Sequence, residues 1–313
     1  MIVCVAGSPS IDKLFEIERL VPGAIHRPES FVQVAGGKGL NVARAASALG
    51  AQVVATGLLA GPAGRWIDQA LRADGVTGQF VWTEGQTRSS LSVSDRQTAV
   101  LTEFYEADAA GSPDAWVQLE KTARRLFSGA RWCVLSGSLP LGSPHDGYAR
   151  LAAAAHAAGA RTALDVRGEP LGEALRALPS LVKINRDEAE ELLGGPVPGV
   201  DGARRAVLEI RRLAGGDGHA AAVTLGAAGA VLVDPDGASW FGHLEAHGRY
   251  PVGCGDSFLA GLVVALDRGD SWPEALALAL GVAAANAELP GAARFDLERV
   301  GALAASARVA SAQ

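Results

Sequence analysis

The chain has 313 residues, 49% of them hydrophobic, with a formal charge of −6 and a sequence pI near 5.6. That balance excludes a basic field for nonspecific nucleic-acid or membrane-surface binding, so an anionic ligand must be met by local cations. Three scattered cysteines (Cys4, Cys133, Cys254) without a CxxC pair argue against a disulfide framework or a zinc site and fit a reducing cytoplasm.

The N-terminal "IVCVAG" reads as a buried strand, too short and too weakly basic in its flanks for a signal peptide, and it delivers Asp12 just beyond its end. Residues 13–34 and 87–106 alternate apolar and polar positions as strand, turn, strand; they are expected to pair with each other as a small layer apart from the main sheet, a lid. Between them, "VAGGKGLNVARAASALG" opens a helix over 38–49. Gly36 and Gly37 permit close backbone approach, Lys38 adds a point charge, and Asn41 lies about one turn into the helix. The lysine is followed by Gly39 and Leu40, so this is no Walker A loop, and no GxGxxG supports a dinucleotide fold. Taken plainly, "GGKG" is also a turn before a helix.

Further along, the runs "QVVATGLL", "RWCVLSG", "RTALDV", "SLVKIN" and "AAVTLG" alternate with helical periodicity over 62–73, 113–127, 144–158, 186–193 and 201–214. Helices over 255–268 and 272–288 follow, and "SARVASAQ" reads as a frayed tail. Strand alternating with helix predicts an α/β chain with a mostly parallel sheet covered on both faces. No apolar run reaches the roughly 20 residues of a membrane span.

In such sheets ligands bind beyond the carboxyl ends of the strands. Those ends carry Asp12, Ser136 and Ser138, Asp165, Lys183, Asn185 and Glu188, and Thr224, Gly226 and Gly229. Each is also an ordinary turn or cap residue; their convergence on one edge is the stronger signal. "PVGCGDSFLAG" has two readings as well. Asp256 or Ser257 caps a helix, or Gly253, Cys254 and Gly255 offer amides at the positive end of a helix dipole to a phosphate, with an acid beside them to take a proton.

The two glycine motifs together resemble the signatures of the PfkB carbohydrate kinases of the ribokinase fold, and "LSGSLPLG", "LVKINRDEAEELLG" and "VTLGAAGAVLV" extend the likeness over nearly the whole chain. Within the family it is most similar to the 1-phosphofructokinase and tagatose-6-phosphate kinase branch. The resemblance implies one ribokinase-like α/β/α sandwich over 1–313 with a β lid that pairs two copies into a homodimer. It implies ATP-dependent phosphorylation of a phosphorylated ketohexose, with Asp256 as base and Gly253, Cys254 and Gly255 as the anion hole. Asp12, Gly36, Gly37 and Asn41 would hold the sugar; Lys38, Arg27, Arg88 and Ser138 would meet its phosphate. Lys183, Asn185, Thr224, Gly226 and Gly229 would serve ATP, and Glu188 would organise Mg²⁺ through water. Departures are Cys254 for the usual alanine, expected to be a packed residue, "GSPSID" for "LNPALD" and "LDVRGE" for "LDTSGE"; they bear on the substrate more than on the reaction. The alternatives are a kinase for an unphosphorylated sugar or nucleoside, and a sugar-binding regulator without turnover, which would need no base.

Overall fold

The computed structural model describes residues 1–107, 111–140 and 142–312; Leu141 of "LSGSLPLG" lies outside them. The chain begins with β1 (Ile2–Ala6), then β2 (Ser10–Ile17), β3 (Ser30–Gly36), α1 (Lys38–Ala48), β4 (Val53–Ala60) and α2 (Gly61–Ala73). Short β5 (Thr77–Gly78) and β6 (Val81–Thr83) lead to β7 (Arg88–Asp95), β8 (Leu101–Tyr105), α3 (Pro113–Phe127), β9 (Trp132–Ser136), α4 (Gly147–Ala157), β10 (Arg161–Asp165), α5 (Glu169–Leu175), β11 (Leu181–Asn185), α6 (Arg186–Leu193) and α7 (Gly199–Leu213). The remainder comprises β12 (Ala220–Thr224), β13 (Ala230–Val233), β14 (Ser239–His243), α8 (Cys254–Arg268), α9 (Trp272–Glu288), α10 (Leu297–Ser306) and β15 (Arg308–Ser311).

The main sheet runs β15-β14-β13-β12-β11-β10-β9-β1-β4-β5, with β6 also on β4. From β4 to β12 every pairing is parallel. Such strands are buried on both faces and are largely apolar, with polar residues such as Ser136, Asp165, Lys183 and Asn185 toward their carboxyl ends; in β1, Ile2, Cys4 and Ala6 join one core, Val3 and Val5 the other. The first core packs against α1, α8 and α9, the second against α3, α4 and α7, giving three layers.

The two strand-like segments form a separate sheet, β3-β2-β7-β8, in which β2 and β7 pair in parallel and the outer pairs are antiparallel. Registers Asp12↔Ser90 and Ser90↔Tyr105 set one face; Phe15↔Phe31 and Leu91↔Phe104 set the other. Phe15 and Phe31 meet edge to face with centroids 5.3 Å apart.

The C-terminus departs from expectation. Residues read as a frayed tail form β15, antiparallel to β14, after a helix α10 that the sequence did not announce. Beyond β12 the sheet continues through the antiparallel strands β13 and β14. An edge strand draws its stability from backbone hydrogen bonds, so "RVAS" can pair without the apolar run that marks an interior strand.

Candidate active site

Parallel strands deliver their last residues to one edge. There Ala6 pairs with Ser136 and Ser136 with Asp165, while Asn185 pairs with Thr224. The N-terminus of α8 faces the same edge: a Cβ built on Gly255 would lie 2.9 Å from Lys183 Nζ.

A carboxylate–ammonium cluster occupies the centre. Asp165 is fully buried and accepts from Lys183 Nζ at 2.9 Å and from Lys38 Nζ at 3.0 Å. Lys38 Nζ also donates to Glu188 Oε1 at 3.0 Å. Burial works to raise the Asp165 pKa, but the two ammoniums beside it prevail and hold it below the usual carboxylate range. Burial likewise works to lower the Lys38 pKa, and Asp165, Glu188 and Asp256 together override it upward. Asp256 is shifted the other way. Burial first and the charge of Asp165 second raise it to about 7, against the pull of Lys38, Lys183 and the amide of Asn41. Asn41 Nδ2 donates to Asp256 Oδ2 at 2.8 Å, joining the two glycine motifs across 215 positions of sequence. A carboxylate with a pKa near neutrality is suited to act as a general base.

Gly253 takes the left-handed conformation, φ 80°, at the N-cap of α8, and a Cβ there would sit 2.5 Å from that of Ala292. Its carbonyl accepts from Ser257 at 2.8 Å, closing the first helical turn. The next amides, at Gly255 and Asp256, are first-turn donors with no intrahelical acceptor. Of the expected anion-hole amides, that of Cys254 donates to Pro251 O at 3.2 Å. The Cys254 thiol contacts Tyr250 O at 3.5 Å and receives Asn286 Nδ2 at 3.3 Å; burial pushes it up to about 11, as expected of a packed residue.

In the first glycine loop, a Cβ on Gly36 would overlap the Asp12 carboxylate at 2.0 Å, which is why that carboxylate can lie against the loop. Asp12 accepts from Ser10 Oγ at 2.5 Å and from the Gly37 amide at 3.2 Å. Arg88 is half-buried, bonded to Ser8 Oγ at 2.8 Å and to Ser90 Oγ at 3.1 Å, and its charge acts on Asp12. Arg27 is exposed between β2 and β3, and Ser138 is exposed after β9. Lys38, expected by resemblance to meet a substrate phosphate, lies at the same edge and pairs with Asp165 and Glu188, each at 3.0 Å.

At the end of β11, Asn185 and Glu188 form a reciprocal capping box on α6, with both bonds at 2.9 Å, leaving Glu188 Oε1 for Lys38. Thr224 ends β12, and Gly226 and Gly229 bracket the turn after it, where Leu225 N donates to Gly229 O at 2.8 Å. Two residues emerge with larger parts than the sequence gave them. Asp165 was visible only as one strand-end acid among several, and its lysine partners lie 18 and 127 positions away. Asn286 sat unnoticed in an apolar helix.

A family model described as pfkB family carbohydrate kinase matches residues 3–299. The 1-phosphofructokinase of Xanthomonas campestris pv. campestris is 36% identical over 272 residues, 84% of this chain and 83% of that protein. That of Rhodobacter capsulatus is 33% identical over 279 residues, 89% and 87% of the two chains. Phosphofructokinase-2 from Escherichia coli, solved in complex with substrates and products, superposes with a TM-score of 0.89 at 27% identity, covering 97% of this chain and 98% of its own.

Proposed function

The chain belongs to the pfkB family of carbohydrate kinases, ATP-dependent sugar kinases, and on that premise we propose that it transfers the γ-phosphoryl group of ATP to a hydroxyl of a phosphorylated ketohexose, with fructose 1-phosphate the first candidate. Two relatives named 1-phosphofructokinase support the substrate class. The observation that carries the mechanism is the bond from Asn41 to Asp256, which sets a sugar-side residue against the base.

In this reading Asp12 and Asn41 orient the sugar, and Arg88, beside Asp12, meets the phosphate already on it. Asp256, with its pKa near 7, takes the proton of the acceptor hydroxyl as the new O–P bond forms and the bond to the β-phosphate oxygen of ADP breaks. The first-turn amides of α8 and Lys183 stabilise the charge on the transferred group, as fixed donors at a helix N-terminus do without reorganisation. ATP lies along β11, β12 and the turn at Gly226–Gly229.

Among the described residues no three metal-ligating side chains gather. Mg²⁺ is commonly held by one or two carboxylates, with phosphates and waters completing its shell, and the Glu188 carboxylate at the strand-end edge would meet it through water. When bound, the ion neutralises charge on the β- and γ-phosphates. The small sheet closes over the sugar and excludes water. Its outer face exposes Phe31 (54%) and Phe104 (56%), apolar surface that a second copy would cover in a homodimer. Among the described residues no helix is long and apolar enough to cross a membrane; free cysteines accord with a cytoplasmic setting.

The test is ADP release on fructose 1-phosphate, fructose 6-phosphate, tagatose 6-phosphate, ribose and adenosine. A kcat/KM at least tenfold higher for one of the sugar phosphates supports the reading. Preference for ribose or adenosine refutes it.

A further inference from the structure

Helix α9 runs "WPEALALALGVAAANAE", and near its end an asparagine is completely buried. A buried amide is costly unless its donors and acceptor are satisfied, so its partners show what it is for. Asn286 Nδ2 donates to Val252 O at 3.0 Å and approaches Cys254 Sγ at 3.3 Å. Oδ1 accepts from Ala293 N at 2.7 Å and from Ser257 Oγ at 3.1 Å. A backbone N–H can only donate and a carbonyl can only accept, so Ala293 and Val252 between them fix which way the amide points.

Three of the four partners belong to the turn that opens α8. Val252 precedes the left-handed Gly253, Cys254 follows it, and Ser257 closes the first turn onto the Gly253 carbonyl. The fourth, Ala293, adjoins Ala292, against which Gly253 packs. A left-handed turn held between two glycines is otherwise free to rotate its peptides, and a small rotation turns first-turn amides away from a phosphoryl group.

We propose that Asn286 is a positioning residue for phosphoryl transfer: its single buried amide fixes the peptide orientation of the Val252–Gly255 turn, and so aims the amides at the N-terminus of α8. The inference rests on the kinase reading above, because aimed amides matter only if a charged group reacts there. Asn286 touches no reacting atom; it acts through the turn.

Two variants test it, Asn286→Ala and Asn286→Asp, the latter isosteric but offering a carboxyl oxygen where Val252 O needs a donor. The expected result is a kcat reduced about tenfold or more, with KM for sugar phosphate and for ATP within twofold of wild type. Affinity for ADP with aluminium fluoride and sugar phosphate, a mimic of the transferring phosphoryl, should fall by a similar factor while affinity for ADP alone holds. Amide hydrogen exchange should quicken at residues 253–256 and stay slow in β9–β12. Wild-type kcat and mimic affinity in both variants would overturn the proposal, as would a loss of kcat matched by an equal loss of ADP-binding sites. The exchange arm needs no turnover: a wild-type enzyme inactive on every sugar phosphate sinks the kinase reading, whereas unchanged exchange at 253–256 in Asn286→Ala sinks this one.

Discussion

The two aspartates of the cluster are shifted in opposite directions, and substitution separates them. Asp165 is ionised and held by two ammoniums. Its depressed pKa means that it stabilises the fold above its unfolded pKa, and that this contribution is lost as pH falls through the folded value. Asp165→Asn leaves buried Lys183 without its carboxylate and should cost about 3–5 kcal/mol in urea unfolding at pH 7. Asp256 has the reverse sign. The folded state retains its proton between the ordinary carboxylate value and about 7, so ionisation above that range costs stability. Asp256→Asn should therefore raise Tm at pH 8 and change it less near pH 5, read by calorimetry, while removing the base. In wild type, kcat/KM should fall as pH drops below about 7, because the protonated carboxyl cannot take the hydroxyl proton. Cys254, with its thiol pushed up to about 11, should resist alkylation at pH 7.5, and Cys254→Ala should retain activity because Asn286 keeps its bonds to Val252 O, Ala293 N and Ser257 Oγ. The sequence made Asp256, Asn41 and the glycines visible through spacing. It could not show that Lys38 turns to Asp165 and Glu188, because that choice is made by charges brought together from 127 and 150 positions away.

At the scale of elements, the small sheet is tied to the turn that opens α8. Tyr250 Oη donates to Glu16 Oε1 at 2.7 Å, and Ser30 Oγ to Glu16 Oε2 at 2.5 Å, so β2 and β3 share one carboxylate with the segment leading into Gly253. Tyr250→Phe keeps the ring and deletes that bond; if closure of the sheet shields the phosphoryl group, ATP hydrolysis in the absence of sugar should rise severalfold relative to transfer. An unchanged ratio in a coupled assay would dissociate sheet from turn. Interior strands such as "IVCVAG" were legible because burial on both faces demands an unbroken apolar run. The edge strand β15 was harder, since antiparallel edge pairing tolerates polar residues, and α10 followed a stretch with no strand before it. Asn286 was illegible for a related reason: one polar residue in an apolar helix has no periodic signature, and its meaning lies in a turn 34 positions earlier.

For the whole molecule, the apolar outer face of the small sheet predicts association. Phe31→Asp with Phe104→Asp should convert a dimer to a monomer in sedimentation velocity, and a wild-type monomer would remove the proposal. In the proposed function, two distant glycine motifs and the cluster between them act as one site, in which Asp256 deprotonates a sugar phosphate for attack on ATP. Phosphorus NMR of ATP and fructose 1-phosphate incubated with enzyme tests it most directly. The expected result is a ketohexose bisphosphate formed in step with ADP, and an Asp256→Asn enzyme slower by about 10³-fold with nucleotide binding retained. Release of inorganic phosphate alone, or equal rates in the two enzymes, would contradict it.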